Sequence, residues 1–347
     1  MKLAIISDTQ IGSRNDYLPY LENNKQFFEN VFFPKLKEEG VTSVIHLGDL
    51  LERRKYVNFN TANYMQRDFI GPMKDYDFYW ILGNHDIYYR ETMTVNSAEI
   101  LVGDKAHIYK EATEVDFDGV KILFVPWITD ENREQTLELI KESDAQILFG
   151  HLELKNFEYI KGIVSQEGMN SIILDKFDIV LSGHFHHRSA KGNIYYVGSH
   201  AEFTWSDAEE ERGFHIFDTE TREIEFVPNP YTVFRKIYYD DAKGQPDIPL
   251  GGFESLKDKI VKVFISGKND PVQYDWFMSK VEGAQPLDIQ PIEDYQNINL
   301  TDDGIVSETK DTLAIIREYV AQSNNIVNVD KLDNLIVDLY NKAQVQE

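Results

Sequence analysis

The chain has no cysteine among its 347 residues. That excludes a disulfide framework and thiolate metal sites, fits a reducing cytoplasm, and leaves any metal to oxygen and nitrogen ligands. Positive charge is also scarce: 35 Lys and Arg stand against 59 Asp and Glu, a formal net charge of −24. This balance argues against a protein that grips nucleic acid by bulk electrostatics, which normally uses clustered cations. It leaves room for an enzyme that meets phosphate through bound cations or through a basic partner's surface. Long apolar runs are missing, and none approaches the roughly 20 residues of a membrane span. The opening "MKLAIISDTQ" is too short and too soon acidic for a signal peptide. What the chain does have is core material, 42% hydrophobic and 13% aromatic. That is enough for two domains, or one with additions.

Along the first two thirds, strand-like and helix-like segments alternate. "KLAIISD" and "VTSVIHLGD" read as buried strands. Between them, residues 21–39 place Phe27, Phe28, Val31, Phe32 and Leu36 on one helical face, with Gly40 as a stop. "TANYMQRDFIGPMKD" is a helical piece bent or broken at Gly71-Pro72. "DFYWILGNHD", "VKILFVPWI", "AQILFGH", "DIVLSGH", "NIYYVGS", "GFHIFDT" and "EIEFVPN" follow as strands. Early βα alternation followed by strand-rich sequence predicts an α/β protein with two sheets face to face and helices outside. Pro228 and Pro230 mark a boundary, giving a first domain over residues 1–230. Residues 231–296 read as a small α+β domain, with three strands around a helix at "PVQYDWFMSKVEG". Residues 297–347 read as a polar linker and a helix pair, striped by Leu313, Ile316 and Val320 and by Leu332, Leu335, Ile336 and Leu339.

Five short motifs fall at strand ends: Asp8-Thr9-Gln10, Gly48-Asp49, Gly83-Asn84-His85-Asp86, Gly150-His151 and Gly183-His184-Phe185-His186. In open α/β sheets, ligands gather beyond the carboxyl ends of strands, so residues far apart in sequence can converge there. Carboxylates, an amide oxygen and imidazoles form a mixed hard and borderline donor set suited to Mn²⁺, Mg²⁺, Fe or Zn²⁺. A single Gly-Asp or Gly-His is common and usually structural. Five in order, each behind an apolar strand, point to a metal site. Among the other histidines, His46, His107 and His215 read as packing or structural residues, and His187 and His200 lie near the motifs.

With these motifs the sequence resembles the calcineurin-like metallophosphoesterases, whose pattern is Asp-x-His, Gly-Asp, Gly-Asn-His-Asp/Glu, Gly-His and Gly-His-x-His. "WILGNHDIYY", "LFGHLELKNF", "LSGHFHH" and "RGFHIFDTETREIEFVPN" are similar to the nuclease subunit of SbcCD-type (meiotic-recombination nuclease) complexes, in the compact form of tailed bacteriophages. The resemblance implies a four-layer α-β-β-α sandwich with a capping domain that binds DNA and a C-terminal helix pair. It implies two divalent cations, Mn²⁺ first and Mg²⁺ as the alternative, roughly 4 Å apart. Asp49 would bridge them, with Asp8, residue 10 and His186 completing one position and Asn84, His151 and His184 the other. His85 would stabilise or protonate the leaving 3′ oxygen, with Asp86 orienting its ring.

Gln10 breaks the pattern, because an amide oxygen is a weaker ligand than imidazole for borderline metals. Either the position tolerates it with lower affinity, or the metal is lost and the chain is a scaffold. The first is favoured, since the other six ligand positions and His85 are in place. Arg53 and Arg54, in a loop after Gly48-Asp49, are candidate phosphate contacts. The resemblance further implies exonucleolytic cutting of double-stranded DNA ends, with single-strand nicking as an addition. It implies an SMC-like, SbcC-type ATPase partner docked on residues 307–343 and a homodimer through the first domain. The expected location is the cytoplasm, that of the host if the gene is a phage's. Two alternatives stand: a phosphatase or small-molecule phosphodiesterase, and an adaptor of the ATPase that cuts nothing.

Overall fold

The computed structural model describes residues 1–243 and 248–293; the expected tail helices at 307–343 lie outside the described residues. In chain order, β1 (Lys2–Ile6), β2 (Ser43–His46), β3 (Asp77–Ile81) and β4 (His107–Tyr109) are followed by β5 (Thr113–Phe117), β6 (Val120–Val125) and β7 (Ile147–His151). A ribbon of β8 (Glu158–Ile160) and β9 (Ile163–Val164) precedes β10 (Ile179–Gly183), β11 (Ser189–Lys191), β12 (Ile194–Tyr196), β13 (Gly213–Asp218) and β14 (Ile224–Pro228). These make two six-stranded sheets, ordered β14-β13-β1-β2-β3-β4 and β11-β12-β10-β7-β6-β5. Strands β1 to β4 pair in parallel in the first sheet, as do β6, β7, β10 and β12 in the second. Their carboxyl ends carry all five motifs.

Strand alternation builds the layers. Leu3, Ile5, Ile45 and Ile81 of the first sheet meet Ile122, Phe124, Ile147, Phe149 and Leu181 of the second in one buried cluster between the sheets. Ala4, Ile6, Val44, Phe78 and Trp80 point the other way, into a cluster with Phe27, Phe28, Phe32, Leu36 and Phe69 from the helical segments. Leu123, Val125, Leu148 and Val180 do the same on the far side of the second sheet, against Ile140 and Leu174. The result is the expected α-β-β-α sandwich. The long first helix departs from the expectation in one respect. Helix Leu18–Phe27 passes through a π-helical turn, Phe28–Phe32, before continuing as Phe33–Glu39. Pro34, which has no N–H to give the ladder, follows directly, and the wider turn absorbs it.

A third sheet, β15 (Phe234–Asp240), β16 (Ile260–Gly267) and β17 (Asp288–Glu293), is parallel throughout. Helix Pro271–Gly283 packs Phe277 and Val281 on Ile237, Val261, Val263 and Ile265. Phe234 and Ile260 join Tyr20, Phe203 and Trp205 in a shared cluster with the sandwich. Buried Glu202 braces the junction by accepting the Val233 and Phe234 N–H groups at 2.6 and 2.9 Å. No helix among the described residues is long and apolar enough to cross a membrane.

His215 in β13 is 5% exposed, and its Nδ1 meets no hydrogen-bond partner among the described residues. Burial, then the nearby Arg188, pushes its pKa from 6.5 down to about 3. The folded ring therefore resists a proton that the unfolded chain takes up below pH 6.5, so its contribution is lost as pH falls from 6.5 towards 3. Relative to His215→Phe, the wild type should lose about 1.4 kcal/mol for each pH unit below 6.5. Urea unfolding of both proteins between pH 7.5 and 5 measures the difference, and parallel curves would contradict it.

Candidate active site

The loops leaving β1 and β2 run on side by side, zipped by Asp8 N–H to Gly48 O (3.0 Å), Gln10 N–H to Asp49 O (3.2 Å) and Ile11 N–H to Leu50 O (2.9 Å). Asp8, Gln10, Asp49 and His184 all hold left-handed backbone, with φ of 49°, 43°, 59° and 87°. Such conformations cost side-chain-bearing residues about 1–2 kcal/mol each. Here the surrounding hydrogen bonds over-determine them, as is common at functional sites.

His46, expected to be a packing residue, is one of those bonds' anchors. Its Nδ1 accepts the Gly48 N–H (3.1 Å), so Nε2 carries the proton and donates to Thr9 Oγ1 (3.1 Å). Thr9 in turn donates to Leu50 O (3.0 Å). Burial pushes His46 down to about 3, which keeps it neutral and the tautomer single.

Asp49, 1% exposed, lies at the middle. Its Oδ1 accepts the His85 N–H at 2.8 Å, and its Oδ2 is 3.3 Å from His151 Nε2 and 3.5 Å from Gln10 Nε2. Burial alone would push the carboxyl up, but His151, His85 and the His85 N–H hold it well below its usual range. His151 donates Nδ1–H to Leu47 O (2.7 Å), which aims Nε2 at Asp49 and at Asn84 Oδ1 (3.0 Å). The same Asn84 oxygen is 3.0 Å from His184 Nδ1. Ligand atoms of Asp49, His151 and His184 all lie within 4.8 Å of one another, a candidate metal group. On the other side, Gln10 Nε2 is 3.4 Å from His186 Nε2, which is 3.9 Å from Asp8 Oδ1. Asp8 is fully buried and accepts the His184 N–H at 3.1 Å. Gln10 Oε1 is buried with no hydrogen-bond partner among the described residues. Two carboxylates, two amides and three imidazoles thus converge, Gln10 through its amide end; this donor set fits divalent cations.

Asp86 ties the strand-end loops together. Its carboxylate accepts the N–H groups of Gly83 (2.8 Å), Asp49 (2.8 Å) and Leu50 (3.1 Å) and the Trp80 indole (3.2 Å). Burial and the Asp49 charge push it up to about 6. The His85 ring places Nδ1 against Glu52 O, and its Nε2 stands 3.9 Å from Asp49 Oδ2. Arg53, a candidate phosphate contact, is engaged by Asp16 (2.5 Å), Asn15 and the Tyr56 ring. Arg54 donates Nε–H to Ile87 O at 3.2 Å. His200 is fully buried against Phe27 and Phe28, with Nε2 on Asn24, and His187 pairs with Glu210. Trp127 was missed: its ring lies 4.9 Å from His184 and 6.1 Å from His151. Its place two residues past the end of β6 was the available signal.

Residues 1–188 match the family model for calcineurin-like phosphoesterases, and the chain belongs to that family. Among known proteins it is 30% identical over 299 residues to Exonuclease subunit 1 of Enterobacteria phage T4, covering 85% of each chain. It is 23% identical to an SbcCD nuclease subunit of Staphylococcus epidermidis over 274 residues, and to its counterpart in Staphylococcus saprophyticus subsp. saprophyticus over 265. Each of those matches covers 66% of this chain and 69% of the relative.

Gly83 has no room for a side chain, because a Cβ there would overlap the Asp49 carboxylate and backbone. Gly83→Ala should leave the circular dichroism spectrum unchanged yet cut hydrolysis of a chromogenic phosphodiester by about a hundredfold. Retained turnover would mean that Asp49 is free to shift without consequence.

Proposed function

We propose that the protein is a DNA nuclease subunit, hydrolysing phosphodiesters at double-stranded ends exonucleolytically and nicking single strands. The observation that carries this reading is the convergence of Asp8, Gln10, Asp49, Asn84, His151, His184 and His186 around one buried carboxylate. The nuclease names of the relatives support DNA as the substrate. Two divalent cations, Mn²⁺ or alternatively Mg²⁺, would supply Lewis acidity and an activated water. Asp49 would be shared between them, with Asp8, Gln10 and His186 on one side and Asn84, His151 and His184 on the other. Leu47 O holds His151 in the tautomer that presents Nε2. His85 would give a proton from Nε2 to the leaving 3′ oxygen while Nδ1–H stays on Glu52 O, which requires its imidazolium form.

In this reading residues 1–230 are the nuclease domain, residues 231–296 cap it and contact DNA, and residues 297–347 dock on an SMC-like ATPase. The relatives are named as subunits, which supports a partner. A homodimer through the nuclease domain completes the assembly. With Mn²⁺, the purified protein should release nucleotides from linear duplex DNA, and Asp49→Ala should abolish release. Gln10→His should tighten the weaker of two Mn²⁺ affinities in a metal titration. Inactivity of the wild type even with the ATPase present, reversed by Gln10→His, would favour the adaptor reading.

Substituting Leu332 and Leu335 with aspartate in the full chain should stop co-purification with the ATPase and spare hydrolysis of the chromogenic diester. Co-purification that survives would place the docking element elsewhere.

A further inference from the structure

His186 is less enclosed than Asp8, Asp49 and His151. It is 30% exposed, against 0% for Asp8 and His151 and 2% for Asp49. Its ring touches Gln10 at 3.4 Å and packs edge-on against Phe203 at 5.6 Å. Where that ring stands therefore depends strongly on how its backbone is held.

The backbone is held by a buried guanidinium. Arg212, its side chain 4% exposed, donates from Nη1 to His186 O and to Ser199 Oγ (3.2 Å). From Nη2 it donates to Asp207 Oδ1 (3.0 Å) and Glu210 Oε2 (2.9 Å). Ser199 N–H takes the His186 carbonyl as well, at 3.1 Å. The two carboxylates extend the hold to the neighbours of His186. Asp207 Oδ2 accepts the Phe203 and Thr204 N–H groups, both at 2.8 Å, and so places the ring that backs His186. Glu210 Oε2 is also 2.9 Å from His187 Nδ1, whose Nε2 is 3.4 Å from Glu158. The carbonyl of His186, the ring behind it and the next residue in the chain all lead back to Arg212.

Stability alone is a weak reason for such an arrangement. Burying an ion triad costs desolvation that a well-packed apolar cluster would avoid. What a guanidinium adds is a planar fork with fixed donor directions, which an apolar cluster cannot supply.

We infer that Arg212 is a positioning residue that sets His186 opposite Gln10, so that the network behind the ring makes up for the weaker amide ligand in front of it. Groups behind a ligand fix its orientation, and their loss commonly weakens metal binding by about 10–100-fold. The inference rests on reading Asp8, Gln10 and His186 as one metal position.

The test is full-length Arg212→Lys, which keeps the charge and loses the fork, measured in two ways. In the metal-free proteins, ¹⁵N–¹H spectra of the imidazoles should show His186 shifted and broadened while His151 and His184 stay in place. In Mn²⁺ titrations followed by electron paramagnetic resonance, the weaker affinity should fall by about tenfold or more, with the tighter one unchanged. Unchanged His186 signals and affinities would overturn the inference. So would a uniform shift of all imidazoles with earlier unfolding, because that marks a merely structural residue. If the wild type takes up no Mn²⁺, the two-metal reading fails and the metal-free spectra alone decide the positioning role. Should the lysine variant not fold, Glu210→Gln, which leaves Asp207 on Arg212, should produce the same His186-specific change in smaller degree, and its absence would overturn the inference.

Discussion

The architecture of the site depends on a carboxylate that faces away from it. Asp86 gathers three backbone N–H groups, from Gly83, Asp49 and Leu50, and the Trp80 indole. Those donors come from the ends of two neighbouring strands, so one buried side chain fixes the loop that carries Asp49 to the loop that carries Asn84 and His85. Hydrogen bonds to an ionised acceptor are worth about twice a neutral pair, and breaking such a set in a dry interior leaves several donors stranded. The left-handed backbone at Asp49 is tolerable only because its N–H has this partner. On the other flank, His46 performs the matching task in neutral form, joining the same loop to the one that carries Asp8 and Gln10.

Parallel pairing explains why so many polar side chains can meet at all. Strands β1, β2 and β3 of one sheet and β7 and β10 of the other all deliver their carboxyl ends to the same edge of the sandwich. Leu3, Ile5 and Ile45 pack on Phe124, Phe149 and Leu181 to hold the sheets in register. The site candidates stand on or within a few residues of a strand end, and side chains so close to rigid strands are placed more narrowly than those far out on a loop. The glycines at these ends have a geometric reason. A Cβ at Gly183 would collide with Ser7, as one at Gly83 would with Asp49.

The sandwich was legible because buried parallel strands read as short apolar runs, and each polar motif stands just past one. The ligand candidates were legible for the same reason: Asn84, His151 and His184 follow such runs with little structural cause to be there. The supporting groups were less visible. Leu47 and Glu52 act through backbone carbonyls, so their side chains carry no signal. Asp86 stands next to His85 in sequence, which suggests a ring contact, and that adjacency gives no sign of the four N–H groups its oxygens gather. Arg212 lies 26 residues beyond His186 in a stretch rich in glutamate, where a cation reads as a solvated partner rather than a buried anchor. Pro34 was in plain view, but a wide turn that keeps Phe27, Phe28 and Phe32 buried around it follows from tertiary packing and not from propensity.

The charge balance also acquires a physical explanation from the arrangement near the site. Arg53 is spent on Asp16, Asn15 and Tyr56, and Arg212 on Asp207 and Glu210. Both cations build loops, and the buried centre itself carries Asp8 and Asp49. Like charge gives a phosphodiester reason to avoid such a centre unless divalent cations intervene. The same two carboxylates that repel an anion are what concentrate those cations. Net charge and phosphate chemistry then cease to conflict: the acidity of this chain is compatible with phosphate contact made at short range by bound metal, while longer-range attraction to a polyanion would have to come from another surface.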